Sequence, residues 1–338
     1  MDLGVFRGEP IELIGGQLVV AEPQGPYHAS AITKVDYGLR AVLPPGWIVR
    51  LQAPVSLDDE SELREMVANP EEEEVHMSAP ESTIIAVGDV HGELDGLREI
   101  LRHARVLGDR DRWIGGDRIL VQTGDMIDRG PQSREAYALL GKLQAEAPVT
   151  SGTVIRLIGN HELELLQGNY RWANYPRPKA FQETLRSDVL SGAVRGAYAG
   201  QGYLFTHAGV RGDMQKHLLQ GETVGSGEGK IIEVLAAKIN RLLIEAVAGN
   251  HFTDLIFRIG RSRGGRHPVG GVFWEDASLM MASARAGVIR QVFGHTPRRR
   301  VEMSPSKGRV DIDVGIHYYG SRAYLVVRGG EPVAVTVR

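Results

Sequence analysis

The sequence predicts an α/β protein that carries a small α+β segment at its amino terminus. From residue 82 onward, short apolar runs rich in β-branched residues alternate with segments whose apolar residues recur at helical spacing. This alternation is typical of βαβ units. Before residue 82 the pattern differs and ends in the acidic stretch DDESELREMVANPEEEE. We therefore expect two domains, residues 1–81 with an acidic linker and residues 82–338 as the main domain.

Composition excludes several classes of protein. The chain has 338 residues, 42% hydrophobic and 24% charged, which is typical of a globular protein. A net charge of −3 lacks the basic excess of a nucleic-acid-binding protein, so we expect no nucleic-acid partner. The absence of cysteine excludes disulfides, thiolate metal ligands and thiol nucleophiles. No leader or long apolar run is evident, so we expect no membrane association and a cytoplasmic location.

The amino-terminal segment contains three predicted elements. IELIGGQLVV indicates two short strands around a Gly-Gly turn, and GWIVRLQAPVSL indicates a second strand pair. HASAITKVDYGLRAVL, which lies between them, has the apolar spacing of a helix. The segment also resembles, loosely, the front of a restriction-endonuclease-like family. Such nucleases need a lysine among clustered acids, and Lys34 is the only lysine before residue 142, so we do not expect nuclease activity.

The main domain is predicted to alternate strands and helices. The first strands are TIIAV, DRILVQTG and GTVIRLIGN, with ELDGLREILRHARVL and SREAYALLGKLQAEA as intervening helices. Further helices are predicted at HELELLQ, AFQETLRSDVL and GKIIEVLAAKINRLLIEAVAG, and a hairpin is predicted from AYAG and GYLFTHAG. VIRQVFGHTP is a later strand, and GRVDIDVGI, SRAYLVVRGG and EPVAVTVR are expected to form an antiparallel run. The glycine-rich GETVGSGEG follows no strand and has no Gly-Lys-Ser/Thr ending, which predicts a loop and not a phosphate cradle.

Five predicted strands end in polar residues of metal-ligand type. Three end at Gly followed by Asp or Asn, and two end at His. Because the carboxyl ends of adjacent parallel strands converge at one edge of a sheet, we expect these side chains to meet there. The six candidate ligands are Asp89, His91, Asp125, Asn160, His207 and His295. Nitrogen and oxygen donors without a thiolate suit two divalent cations of the Mn, Fe or Zn kind, bridged by one carboxylate.

The same residues carry a family resemblance. GDVHG, GDMIDRG, GNHE, THAGV and GHT, in this order, resemble the motifs of the calcineurin-like metallophosphoesterases, and the resemblance covers about residues 82–338. DRG together with GNHE is similar to the phosphoprotein-phosphatase (PPP) branch, with the bacterial Shewanella-like phosphatases as the nearest group. The resemblance implies a metallophosphoesterase-type β-sandwich flanked by helices, in α/β/β/α order. It also implies a metal-dependent phosphatase, a phosphoric monoester hydrolase, with Mn²⁺ as the preferred ion.

Carried over by position, the resemblance assigns a role to each candidate. Asp89 and His91 resemble ligands of one metal, and Asp125 resembles the bridge between the metals. Three residues resemble ligands of the other metal: Asn160, His207 and His295.

The resemblance also implies a mechanism and a set of catalytic residues. A hydroxide that bridges the two metals attacks phosphorus in line, so no protein nucleophile is needed. His161 resembles the general acid and Asp128 the carboxylate that holds it. Arg129 resembles a phosphate-binding guanidinium, and Arg261 and Arg263 are the candidates for a second one.

Two alternative functions stay open. A nucleotide hydrolase, such as a dinucleoside-polyphosphatase, shares the GDxHG, GDxxDRG and GNHE motifs. A non-catalytic scaffold with this fold would typically lack a ligand or the acid, and none is missing here. The partner is therefore expected to be a phosphopeptide or a small phosphate ester. The physiological substrate and the oligomeric state are not indicated by the sequence.

Five further residues receive structural expectations. Glu162 lies at a predicted helix start, where a carboxylate favours the positive end of the helix dipole, so a structural role is expected. Tyr318 and Tyr319 could line a substrate cleft, but their place in a predicted β-run favours the interpretation as packing residues. Either Asp311 or Asp313 is expected to face the metals and accept an N–H from a ligating histidine.

Overall fold

The computed structural model describes residues 11–14, 17–20, 82–225, 227–281, 289–306 and 308–337. The chain divides into two units, Met1–His76 and Met77–Arg338. In the first unit, β1 (Ile11–Ile14) and β2 (Gln17–Val20) pair antiparallel, which confirms the predicted hairpin. The helix and second strand pair predicted for residues 28–57, and the acidic linker, lie outside the described residues.

The second unit contains a six-stranded sheet. Its strand order is β13-β12-β3-β4-β5-β6. Four neighbouring strands run parallel to one another: β3 (Ile84–Val87), β4 (Ile119–Gln122), β5 (Thr153–Leu157) and β6 (Val194–Arg195). Two antiparallel strands complete it, β12 (Ala323–Arg328) and β13 (Glu331–Thr336). The strands predicted from TIIAV, DRILVQTG and GTVIRLIGN are thereby confirmed.

A five-stranded sheet faces the first. Its strands, in spatial order, are β10 (Glu302–Met303), β11 (Arg309–Asp311), β9 (Gln291–Phe293), β8 (Tyr203–Thr206) and β7 (Ala197–Gly200). The β7–β8 hairpin is as predicted. The antiparallel run expected at the carboxyl end is confirmed for β12 and β13, which pair antiparallel in the other sheet. It is wrong for β11, which pairs parallel to β9 in this sheet.

The longer helices lie where the apolar periodicity of the sequence predicts them. They are α1 (Leu94–His103), α2 (Ser133–Glu146), α3 (Asn160–Leu166), α4 (Pro178–Leu190), α5 (Gly212–Leu219), α6 (Glu228–Gly249), α7 (Ala277–Met281) and α8 (Ile316–Tyr319). Helix α6 ends as predicted at Gly249, with Asn250 in the left-handed conformation. Among the described helices, none combines the length and apolar character needed to cross a membrane.

Strand periodicity explains how the layers pack. On β3, Ile84 and Ala86 face the second sheet, in a buried cluster that includes Phe205 and Val292. The alternate residues, Ile85 and Val87, point the other way and pack in the cluster that contains the helices. Both faces of β3 are therefore buried, which explains why its sequence is apolar throughout rather than alternating. The result is the predicted β-sandwich flanked by helices.

Candidate metal centre

The candidate ligands follow strands of both sheets. Asp89, Asp125 and Asn160 lie two or three residues after β3, β4 and β5 of the six-stranded sheet. His207 and His295 follow β8 and β9 of the five-stranded sheet. We expected all five ligand-bearing strands to be adjacent parallel strands of one sheet, and this is correct for only three of them. The site forms where the ends of two facing sheets meet.

Asp125 lies at the centre of the cluster. One carboxylate oxygen, Oδ2, is 3.6 Å from His91 Nε2, and the other, Oδ1, is 3.6 Å from His207 Nε2. Two groups of possible ligand atoms, each within 4.8 Å, share this residue: Asp125 with His91 and His161, and Asp125 with His207 and His295. A carboxylate that presents one oxygen to each of two imidazoles has the geometry of a bridging ligand.

The half of the site around His207 fits a cation on chemical grounds. His207 Nδ1 donates to the carbonyl oxygen of Thr123 at 2.9 Å, so Nε2 carries the lone pair. That nitrogen lies 3.0 Å from Asn160 Oδ1 and 3.0 Å from His295 Nδ1. An imidazole lone pair and an amide oxygen cannot hydrogen-bond to each other. A cation bound to both atoms would stabilise their approach inside a buried site, and N/O donors of this kind suit a divalent metal.

His91 and Asp89 offer further donors, and the hydrogen bond of Asp89 is with the backbone of His295. His91 Nδ1 donates to the carbonyl oxygen of Ile127 at 3.0 Å, which leaves Nε2 facing Asp125. Asp89 Oδ1 accepts the backbone N–H of His295 at 3.1 Å, whereas Asp89 Oδ2 is buried without a hydrogen-bond partner in the described residues. A buried carboxylate oxygen without a donor is costly unless a cation is bound to it. The donor set therefore fits a second divalent ion.

Burial keeps the imidazoles in the form that binds metals. It lowers the pKa of His91 to about 3, and it also lowers the pKa of His207 and His295. Burial, with repulsion from Asp313 and Asp125, raises the pKa of Asp89 well above its usual range. The three histidines are neutral near pH 7, with lone pairs available to a metal.

The backbone of the site is held in an unusual conformation. Five site residues that are not glycine have φ between 48° and 74°, in the left-handed region: His91, Asp125, Asp128, Arg129 and His295. Such residues cost free energy, on the order of 1–3 kcal/mol each, and persist only where surrounding contacts hold them. Three of these strained residues are candidate ligands, and the other two are the candidate partner of His161 and the candidate phosphate-binding arginine. The strain is therefore concentrated in the loops that form the site.

Glu162 holds the strained loop that contains Asp125. Its Oε2 accepts the backbone N–H groups of Gly159 at 2.8 Å and Asp125 at 2.9 Å. Its Oε1 accepts those of Met126 at 2.8 Å and Ile127 at 3.2 Å. The structural role expected for Glu162 is confirmed, but its main partners are the loop N–H groups and not only the helix dipole.

His161 lies beside the ligands with two polar partners. Its Nδ1 is 2.7 Å from Asp128 Oδ2, and Arg129 Nη2 donates to its Nε2 at 3.0 Å. Burial acts to lower the pKa of His161, but the Asp125 and Asp128 carboxylates outweigh it, and the pKa is raised. The ring is therefore oriented, partly shielded from water and closer to the protonated state than an ordinary histidine.

The structure separates the two further arginine candidates. Arg263 is partly buried and contacts Thr296, beside the candidate ligand His295, while its Nη2 is 3.1 Å from Asp276 Oδ2. Arg261 is exposed, and among the described residues its side chain has no contact with a candidate ligand. The second phosphate-binding role thus has one well-placed candidate, Arg263, and it stays a prediction.

The expectation for Asp311 and Asp313 is wrong in one respect. Both are buried, but their Oδ1 atoms accept backbone N–H groups, those of Asp313 and Gly315 respectively. The histidine N–H groups are instead accepted by backbone carbonyls, as described above for His91 and His207.

Sequence reasoning did not single out Trp172, and it favoured packing over a cleft position for Tyr318 and Tyr319. Tyr318 and Tyr319 lie in the short helix α8 and are 46% and 41% exposed, so their interpretation as packing residues of a β-run was wrong. Trp172 is 45% exposed and lies 6.0 Å from the ring of His161. Its position in NYRWANYPRP, a stretch too rich in Asn and Pro for a core element, is a signal that could have indicated an exposed aromatic.

Comparison with known proteins identifies similar chains. The sequence pattern described as calcineurin-like phosphoesterase matches residues 82–299. Shewanella-like protein phosphatase 1 of Plasmodium berghei is 43% identical over 106 residues, 31% of this chain and 28% of that protein. Shewanella-like protein phosphatase 2 of Arabidopsis thaliana is 35% identical over 99 residues, 29% of this chain and 25% of that protein. These matches span about a quarter of the length of each relative.

A solved structure shows the same fold. The cold-active protein-tyrosine phosphatase of a psychrophilic Shewanella species superimposes with a TM-score of 0.56, at 18% identity, covering 76% of this chain and 80% of that one. This likeness supports the sandwich architecture.

Proposed function

This chain belongs to the calcineurin-like phosphoesterase family, and we propose that it is a dinuclear metal-dependent phosphomonoesterase that acts on phosphorylated proteins. One observation carries the proposal: Asp125 lies between two sets of imidazoles, with the His161–Asp128 pair and Arg129 directly beside it. That arrangement combines metal ligands, a positioned proton donor and an anion-binding group in one buried volume.

The proposal assigns the ligands to two divalent ions, with Mn²⁺ preferred. Asp89 and His91 would hold one ion, and Asp125 would contact both. The other ion would be held by Asn160, His207 and His295. When bound, the ions would supply positive charge to the phosphoryl group and lower the pKa of a water molecule so that it attacks phosphorus at neutral pH.

His161 is proposed to protonate the leaving oxygen. Its Nδ1–H is donated to Asp128, which orients Nε2 towards the site. When the bond between phosphorus and the leaving oxygen breaks, the proton on Nε2 passes to that oxygen. A protonated Nε2 cannot accept from Arg129, so in this state the guanidinium is free to bind phosphate oxygens with two parallel N–H groups.

Replacing His161 with Asn tests this assignment. The variant should keep both metals and lose roughly 10²- to 10⁴-fold in kcat, the usual contribution of a positioned general acid. The loss should be smaller for aryl phosphates with good leaving groups, which need little protonation. His251→Asn, at an exposed position on another part of the chain, is the matched control. Loss of a metal, or an equal loss across leaving groups, would refute the role of His161.

A substrate panel tests the reaction class. The comparison includes a phosphotyrosine peptide, a phosphoserine peptide, p-nitrophenyl phosphate and diadenosine tetraphosphate. Turnover of the monoesters supports the proposal, whereas preferred cleavage of the tetraphosphate supports a nucleotide hydrolase. If the protein binds two metals but hydrolyses none of the four substrates, the result would support the scaffold alternative.

A further inference from the structure

Arg129 is enclosed by aromatic rings at the mouth of the site. Its Cζ lies 5.1 Å from the centroid of the Tyr318 ring and 5.9 Å from that of Trp172. The same two rings approach the metal ligands and the acid, because Tyr318 is 6.4 Å from His91 and Trp172 is 6.0 Å from His161. The guanidinium and both rings therefore border the opening through which a substrate would reach the buried centre.

The pattern of arginine and aromatic rings continues outward in both directions. On one side, Arg171 Cζ lies 5.0 Å from the Trp172 ring. On the other side, Tyr319 lies 6.2 Å from Tyr318, and Arg299 Cζ is 4.5 Å from the Tyr319 ring. These contacts form a continuous strip, which we call the rim belt. The rim belt consists, in spatial order, of Arg171, Trp172, Arg129, Tyr318, Tyr319 and Arg299.

The rim belt brings together exposed residues from separate parts of the chain. All three of its aromatic rings are more than 40% exposed, which is unusual for large apolar side chains on one surface. Aromatic and arginine side chains are also the types enriched at the energetic centres of protein interfaces. Its contributions come from the loop after β4, the loop after α3, the segment after β9 and helix α8.

The charge of the rim belt is positive at both ends. Arg171 has one carboxylate partner, Glu164, at 3.6 Å, and its side chain is still 61% exposed. Arg299 is exposed and forms no ion pair within the described part of the chain. Arg129, at the centre, donates to an imidazole and not to a carboxylate. This local excess of cations contrasts with the net charge of −3 for the whole chain.

We propose that the rim belt is the docking surface for the polypeptide around the phosphorylated residue, and that it selects acidic peptides. The inference rests on the proposed phosphatase function. The phosphorylated side chain enters beside Arg129, acidic residues on either side pair with Arg171 and Arg299, and the backbone lies across the exposed aromatic rings. Charge complementarity and exposed aromatic area thus act along one line through the catalytic centre.

Peptides that differ only in flanking charge test the inference. Two sets are compared, one with phosphotyrosine and one with phosphoserine, each with acidic, neutral or basic residues on both sides. In whichever set is hydrolysed, kcat/KM should be highest for the acidic peptide, and its advantage should shrink as salt is raised. Each kcat/KM is divided by that for p-nitrophenyl phosphate, which has no flanking residues.

Charge reversal localises the effect. Arg171→Glu and Arg299→Glu should each lower the normalised value for the acidic peptide by roughly 2- to 5-fold or more, from the loss of an exposed ion pair. Arg328→Glu is the control, since it makes the same charge change near Thr83, at the opposite end of β3 from Asp89. Thermal melting curves for each variant confirm that folding is retained.

The outcomes separate the two proposals. Failure to hydrolyse p-nitrophenyl phosphate with metals bound would refute the phosphatase function itself. Hydrolysis of that ester and of peptides, without a preference for acidic peptides, would overturn the rim belt alone. Hydrolysis of that ester without hydrolysis of either peptide set would overturn both the rim belt and the proposed action on phosphorylated proteins, but not the phosphomonoesterase activity. An equal effect of Arg328→Glu would assign the preference to net charge and would also overturn it.

Discussion

Glu162→Gln is expected to damage the site without touching a ligand. The substitution keeps the shape of the side chain but replaces one acceptor oxygen with an NH₂ group. Each carboxylate oxygen accepts two backbone N–H groups, from Gly159 and Asp125 or from Met126 and Ile127. Whichever way the amide turns, two buried donors then face another donor. The loop that holds Asp125 at φ 51° therefore loses half of its support.

The magnitude follows from the number of lost partners. A buried donor left unsatisfied costs about 1–3 kcal/mol, so two of them cost roughly 2–6 kcal/mol of unfolding free energy. For a domain of this size, a loss of 1 kcal/mol lowers Tm by about 2–4 °C. A decrease in Tm of roughly 5–20 °C is therefore expected, accompanied by weaker binding of Mn²⁺ because Asp125 is no longer held in place.

Calorimetry and metal titration check this expectation. Glu164→Gln is the matched control, because Glu164 lies on the same helix but contacts the side chains of Arg171 and Asn169 and not the loop N–H groups. Its loss should be smaller, about 1 kcal/mol, because the Arg171 side chain is 61% exposed and solvent screens its ion pair with Glu164. A Glu162→Gln variant with an unchanged Tm and unchanged Mn²⁺ affinity would show that other contacts hold the loop.

Three further predictions concern the metals and the domain boundary. A chelator should abolish hydrolysis of p-nitrophenyl phosphate, and added Mn²⁺ should restore it; full turnover by protein shown to be metal-free by elemental analysis would refute the centre. Asp125→Asn should lower kcat more than His91→Asn, because only Asp125 faces both halves of the site, and a near-normal rate with two metals bound would contradict this. Removal of residues 1–78 should preserve metal content and kcat, since the motif-bearing strand ends lie between Gly88 and Thr296; a folded, metal-loaded truncation without activity would show that the removed segment contributes.

The sequence alone was sufficient to predict where the main strands of this protein end and which candidate ligands follow them. The apolar run ending at GDVHG predicts both a strand and the place where it stops, because a change from β-branched residues to Gly and Asp terminates a strand. The same reasoning located β4, β5, β8 and β9 and the ligand candidates that follow them. These predictions succeed because strand termination depends on residues that are neighbours along the chain.

Tertiary structure decided what depends on pairing between distant segments. The residues of β11 and β12 do not themselves assign these strands to different sheets. The pairing of β11 with β9 and of β12 with β3 does so. Likewise, Tyr318 has the composition of a packing residue and becomes exposed because a chain crossing between the sheets holds it in helix α8 beside Arg129. Sheet membership, and the exposure of residues in the connections between strands, depend on the assembled layers. A pattern with a period of two or 3.6 residues indicates only which face of one element is buried.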